Sequence, residues 1–446
     1  MGLFTEALYL GVGFAAVVLG LVAALTHPGR RSILAFLLGV SAGLVAVQIF
    51  RVHIFTLLAV GWVFLPGRAR NRGAPKLVAA LLGAALLLAS TTLLGNLVNS
   101  PTLGLQLLAL AGSAALLALT ASRRDVTAML WGLLVVSTVG SAVGVLQVFQ
   151  VIPMDLWHLH VSSIGRPTGI YPEPDWLGMF SGMGVLLSWR LSMSRAAKVG
   201  LFLPNVTVFV LAMARASWIA LLVCVVAAGV ASAIRRSRGS ARAAFRGPRR
   251  GRRAAVVIAS VVAFAALAVV PQLQEDVAAR ASTLAGTVQE DDISGQARIR
   301  QNDSLIELAR SIPVYGHGLS SAGRVGVWGQ IDTLGESQNN VASNWVLGMW
   351  VDGALFAVPL IIYLIGIAFA RVRSIPGQLL LFALVCSLFS NAVFFPVTWL
   401  LVGLAITARQ PDNIDGVPPQ VRMRARHRLE GTLPRTGVSA EQDRQR

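Results

Sequence analysis

The sequence predicts an all-α polytopic membrane protein of about twelve to thirteen transmembrane helices, with one long extracytoplasmic loop carrying short amphipathic helices. Three observations predict it. Hydrophobic residues make up 55% of the 446 and charged residues only 13%, outside the range of soluble globular domains. Apolar runs of about 18–25 residues recur along most of the chain, each long enough to cross roughly 30 Å of hydrocarbon. The basic excess, a formal +18, is concentrated in short segments between runs and in the tail. There it fixes the cytoplasmic side, so nucleic acid is not an expected partner.

The first apolar run, about 6–26, has no basic residue before it and no A-x-A site after it, so no cleavable signal peptide is expected. A second run covers about 33–50. A third follows Arg51-Val-His53 and ends near Pro66, before the basic loop Gly67–Lys76. Spans follow at about 77–94, 103–121 and 126–150, with Ser122-Arg-Arg-Asp125 at a cytoplasmic end. Residues 151–174 form an extracytoplasmic loop whose one basic residue is Arg166. Spans at about 175–193 and 199–214 are joined by the basic turn around Arg195 and Lys198, which brings Arg215 to the outer face before a span at 217–233.

Arg235–Arg253 holds nine arginines and no acid, the strongest inside marker, read as a solvated basic loop against anionic lipid. A span at about 254–270 leads outward to the loop 271–340, which carries nine carboxylates against five arginines. Within it, Gly295–Gly318 reads as a short amphipathic helix on the bilayer surface. Its apolar positions are Ile299, Leu305, Ile306, Ala309 and Ile312, with Asp303 as N-cap and Pro313, Gly316 and Gly318 ending it. A helical run from about Asn340 crosses at 354–370. Residues 376–408 are too long for one crossing, and the break Ser390–Pro396 suggests a short hairpin. The tail 409–446 is polar, basic and punctuated by Pro and Gly, and reads as a disordered cytoplasmic segment following a membrane domain over 1–408. Cys224 and Cys386 lie inside predicted spans and read as small apolar fillers.

Chemistry has room only in the two outer loops. Arg166, Arg215 and Arg298 are far apart in the chain yet on one predicted face. Converging guanidinium groups grip phosphate oxygens with paired donors, so a shared cleft would hold a diphosphate. Glu173 and Asp175, in YPEPDWLG at the top of a span, could deprotonate a hydroxyl or orient a sugar; Asp175 could equally be a helix N-cap. His317 is the one histidine of the long loop and a third candidate base. Arg300 flanks the substrate arginines, while Asn340 and Asn344 could bind sugar hydroxyls or cap the next helix. His158-Leu-His160 has ligand character but no evident third partner, so no metal is expected. The absence of a phosphate-cradling glycine loop disfavours a nucleotide-sugar donor.

These pieces, in this order, resemble the O-antigen ligase/polymerase family of polytopic glycosyltransferases. Arg166-Pro-Thr-Gly169 with Glu173-Pro-Asp175 matches the family's arginine–glycine segment leading through proline into a helix. Ala214-Arg215 matches a short S-R pair between spans, and Arg298 stands about fifteen residues before Pro313-Val-Tyr-Gly-His-Gly318, matching an arginine ahead of P-x-x-G-x-G. Where the ligases have a His-Asn pair, this chain has Gln338-Asn-Asn340 and Ser343-Asn344, which shifts the expectation towards a polymerase. The resemblance implies a GT-C-like enzyme of the bacterial inner (cytoplasmic) membrane, active on its extracytoplasmic face. It implies metal-independent, cofactor-free, inverting transfer of a glycan from undecaprenyl diphosphate to an acceptor hydroxyl. Its partners would be that lipid-linked glycan, a glycan or lipid-anchored acceptor, membrane lipids and other proteins of polysaccharide assembly. Arg215 and Arg298 would hold the diphosphate and Arg166 the diphosphate or first sugar, with Glu173, Asp175 and His317 as rival bases. A transporter of lipid-linked oligosaccharide is the alternative, although it would be expected to place charges near mid-bilayer rather than at span ends.

Overall fold

The computed structural model describes residues 30–45, 47–49, 52–65, 71, 74–94, 100–154, 166–238, 293–325 and 341–408. The apolar runs at 6–26 and 254–270, most of the arginine-rich segment, His158, His160, Asn340 and the tail lie outside them. Among the described residues there are thirteen α-helices and one two-stranded ribbon, so the chain is an all-α polytopic membrane protein. Four helices are long and apolar enough to cross a membrane by length and composition: Pro75–Leu93, Pro101–Thr120, Arg123–Val148 and Arg215–Ser232.

The first described helix, α1 (Arg30–Gly43), ends at a hairpin of β1 (Gln48–Ile49) and β2 (Val52–His53), from which α2 (Ile54–Val63) returns. The break expected at Arg51-Val-His53 is therefore a tight ribbon between two short helices. Helix α3 (Pro75–Ser90) starts with Pro at its first position, where no N–H partner is lost. It is followed by α4 (Ser100–Thr120) and α5 (Arg123–Val148). Ser122 and Asp125 form a reciprocal capping box that starts α5. Asp125 also accepts from Arg31 Nε at 3.1 Å, and Arg31 donates to the Thr120 carbonyl at 2.7 Å. Trp62 Nε1 donates to Thr120 Oγ1 at 2.9 Å. One end of the bundle is thus pinned by polar contacts, since the Asp125 carboxylate is only 3% exposed and removing its partner would strand a buried charge.

Helices in lipid gain little from apolar burial against one another, so close approach through small residues does more of the work. Gly39 of α1 and Gly132 of α5 make such a contact: a Cβ on either would lie about 2 Å from a carbonyl oxygen of the facing helix, Met129 or Phe36.

Helices α6 (Pro174–Arg190), α7 (Arg195–Leu211) and α8 (Arg215–Arg238) follow as a zigzag. Asn205 of α7 joins them to α5: its Oδ1 accepts from Ser141 Oγ at 3.0 Å and its Nδ2 donates to Thr138 Oγ1 at 2.8 Å. Cys224 and Cys386 are buried free thiols, as expected of apolar fillers. After α9 (Ile293–Arg310) come α10 (Trp345–Gly353), α11 (Val358–Ala370), α12 (Ile375–Cys386) and α13 (Pro396–Thr407). The last two are the short hairpin expected for 376–408, at 12 residues each.

Helix α9 differs from expectation in its start and its buried face. It begins at Ile293, so Asp303 lies within it and caps nothing. Ile299 and Ile306 are exposed, whereas Ala297, Gln301 and Leu305 are enclosed. Of that stripe, Leu305 packs with Ala322, Val325, Ala342 and Val351 in a separate small core, with Leu308 and Ala309 against it. The apolar residues of the sequence pattern were ambiguous because the face is decided by these distant partners.

Candidate functional site

Helix α5 runs 26 residues, about 39 Å, from the pinned end to the opposite end of the bundle, where its Gln147 meets the segment leading into α6. That segment turns at Gly169, whose φ of +61° and closeness to the Gly140 carbonyl leave no room for a Cβ. The chain then enters α6 through Glu173-Pro174-Asp175. Pro174 occupies the first helical position; Glu173 is at the N-cap with no side-chain capping bond. Asp175 is therefore not the cap, and its carboxylate is directed elsewhere.

Asp175 joins two arginines from distant parts of the chain. Its Oδ1 accepts from Arg166 Nη1 at 3.1 Å, and its Oδ2 accepts from Arg298 Nη2 of α9. Side-chain exposures of 12% for Arg166 and Asp175 and 27% for Arg298 put the group at the edge of solvent. One carboxylate against two guanidinium groups leaves these three side chains with a net positive charge, which favours a further anion.

Glu173 stands beside this group and reaches solvent, yet enough protein surrounds it to desolvate its charge. Burial and then the Asp175 charge raise its carboxyl above the ordinary range, while Arg298 and Arg166 pull it back. Among the described residues it makes no ion pair.

Arg215 opens α8 at a tight turn in which Met213 has a φ of +49°. The turn packs on α6 through Gly178, where an added Cβ would meet that of Ala214 at 2.4 Å. Gly178 is three residues beyond Asp175, so Arg215 begins its helix at the same end of the bundle. The N-termini of α6 and α8 both lie at this end, and the positive end of a helix dipole favours negative charge. Trp176 ties this corner to the α12–α13 break: Nε1 donates to Ser390 Oγ at 3.1 Å, and its ring stands edge-on to Phe395 at 4.4 Å. Asn391 in turn donates to the Ala342 carbonyl at 2.9 Å.

The remaining candidates are placed differently. Arg300 is two residues past Arg298, about 200° round the helix, and exposed on another face. His317 Nε2 lies 3.0 Å from the Leu308 carbonyl. A carbonyl only accepts, so that nitrogen carries the proton and is occupied at the end of α9. Asn344 caps α10, its Oδ1 accepting from Val346 and Leu347 N–H at 3.1 Å each. The glycines after Pro313 serve backbone docking: His317 N and Gly318 N donate to the Val351 and Asp352 carbonyls at 3.0 Å each. Gly316, at φ +79°, lies against Asp352, whose carbonyl oxygen would be 2.3 Å from a Cβ.

Sequence reasoning missed three polar residues that organise the site: Gln147, Gln301 and Asp352, all buried. Asp352 accepts from Ser321 Oγ at 2.9 Å and Ala322 N–H at 2.7 Å, holding the loop after Gly318. Their one signal was a polar side chain inside or beside an apolar helix.

Fold and site together define a polytopic helical membrane protein with an arginine–carboxylate cluster at one end of its bundle. Residues 199–353 match the model of the O-antigen ligase family, the same family that the motifs resemble. The match covers Arg215, Arg298, the 313–318 loop and Asn344. No curated protein and no solved structure matches the chain.

Proposed function

We propose that this protein transfers a glycan from a polyprenyl diphosphate carrier, undecaprenyl diphosphate in a bacterial inner membrane, to an acceptor hydroxyl on the outer face. The observation that carries the reading is the convergence of Arg166 and Arg298 on Asp175 at the end of the bundle where Arg215 begins α8. The O-antigen ligase match supports the same chemistry.

In the proposed step the acceptor oxygen attacks the anomeric carbon as the bond from that carbon to the diphosphate oxygen breaks, inverting the centre. Negative charge grows on the departing diphosphate, and fixed guanidinium groups with two helix N-termini stabilise it most where it develops. No metal is needed for that neutralisation. Glu173 takes the acceptor proton: both oxygens of Asp175 are engaged by arginines, whereas Glu173 makes no ion pair among the described residues, faces solvent and stands beside the arginine cluster. The absence of the ligases' His-Asn pair favours a growing glycan as acceptor, making the enzyme a polymerase of surface polysaccharide.

The test uses the full-length chain in proteoliposomes with a polyprenyl-diphosphate-linked glycan and an acceptor glycan. The product should carry the inverted anomer, with release of lipid diphosphate in the presence of chelator. Arg298→Ala and Arg215→Ala should abolish transfer while leaving insertion intact; transfer at wild-type rates by both variants would overturn the reading.

A further inference from the structure

The two arginines that meet at Asp175 are each backed by one enclosed glutamine. Gln147 is 0% exposed and Gln301 2%, and both use the two ends of their amides. Gln147 Oε1 accepts from the N–H groups of Thr168 at 3.0 Å and Gly169 at 2.7 Å, and its Nε2 donates to the Pro153 carbonyl at 3.2 Å and Thr168 Oγ1 at 3.3 Å. It thereby grips the chain two and three residues after Arg166. Gln301 is three residues after Arg298 on α9. Its Nε2 donates to the Val325 carbonyl at 2.7 Å, and its Oε1 accepts from Ser343 N–H at 3.1 Å and from Ser343 Oγ.

An apolar side chain could fill either space, but it could not fix direction. The Gln147 amide sets where the Arg166 segment leaves α5. The Gln301 amide reaches two separate stretches of chain, so it sets both the rotation and the height of α9. Asp352 steadies the first of those stretches through Ala322. Among the described residues neither glutamine hydrogen-bonds to the arginine it serves; each acts through the chain segments it holds.

We propose that Gln147 and Gln301 are positioning residues that set the separation and aim of the Arg166 and Arg298 guanidinium groups for a diphosphate. This inference rests on the proposed function. A guanidinium displaced by about 1 Å loses its paired hydrogen bonds to phosphate oxygens, a displacement that can lower turnover by roughly a hundredfold.

The experiment measures binding of undecaprenyl diphosphate to the full chain in nanodiscs, together with its melting temperature. Arg166→Ala and Arg298→Ala test the underlying reading: wild-type binding by both would overturn that reading itself. Gln147→Leu and Gln301→Leu should each weaken binding about tenfold or more. The Gln301 effect should vanish in an Arg298→Ala background and the Gln147 effect in an Arg166→Ala background. A purely structural residue would add its loss to that of the arginine instead, and such additivity, or unchanged binding by the glutamine variants while the arginine variants fail, overturns the inference. Should either leucine variant fail to fold, the isosteric Gln301→Glu and Gln147→Glu, which keep the acceptor end, carry the test. Failure of those to fold would make the glutamines fold residues only and would also overturn it.

Discussion

Asp175 divides its carboxylate between Arg166 and Arg298, one oxygen to each, joining residues 9 and 123 positions away in the chain. A single anion between two cations holds them closer than their mutual repulsion would allow, yet leaves the group with net positive charge. The pair is arranged before any substrate arrives, so less reorganisation accompanies binding.

Asp175→Asn keeps the shape of that bridge and removes its charge. The two guanidinium groups should then move apart, and kcat/KM for glycan transfer should fall by about 10–100-fold, equivalent to roughly 1.4–2.7 kcal/mol. Steady-state kinetics on the purified variant check this. A kcat/KM equal to wild type would mean that the carboxylate does not hold the arginines for catalysis.

Glu173 supplies a pH signature. A base works only when deprotonated, and burial with the neighbouring Asp175 charge raises this carboxyl above the ordinary range. Transfer should therefore increase with pH through an acidic limb lying higher than an ordinary glutamate would give. Glu173→Gln should remove most of the rate, and the limb should be missing from what remains. A pH–rate profile unchanged by the substitution would assign the proton to another group.

His317 separates a structural role from a chemical one. Its ring bonds the Leu308 carbonyl at the end of α9, so His317→Ala should lower stability by about 1 kcal/mol, the value of a hydrogen bond. Transfer at saturating substrate should stay within a few-fold of wild type. A loss of a hundredfold or more with normal melting would restore the histidine as the base.

The readable parts of this fold were those with local signatures. Span positions follow apolar run length, and the α12–α13 hairpin follows the Ser390–Pro396 break. Asp175 was legible because charge at the end of an apolar run is costly without a purpose, and Arg166 and Arg298 because they stand in outer loops on one predicted face in the motif pattern. The start of α9 was not legible: Ile293–Ala297 is a weak helical sequence, and the burial of Leu305 depends on Ala322, Val325 and Ala342 from later in the chain. Gln147 and Gln301 were missed for the same reason. Nothing adjacent to a glutamine announces that its amide partners lie 21 or 42 residues away.

The glycine at 316 offers a test of the P-x-x-G-x-G segment as a docking element instead of a ligand loop. Its φ of +79° is costly for any residue with a side chain, by about 1–2 kcal/mol. A Cβ there would also press on the Asp352 carbonyl at 2.3 Å. That same carbonyl accepts from Gly318 N–H, and the Asp352 side chain holds Ser321 and Ala322. Displacing it would loosen the stretch that ends at Val325, where Gln301 anchors α9. Gly316→Ala should therefore lower the melting temperature and also reduce transfer at subsaturating donor, because the disturbance reaches Arg298 through its helix. Hydrogen exchange should show the change confined to 313–325 and α9, with the Asn205 contacts of α5 and α7 still protected. If Gly316→Ala melts and transfers like wild type, the loop does not position the arginine.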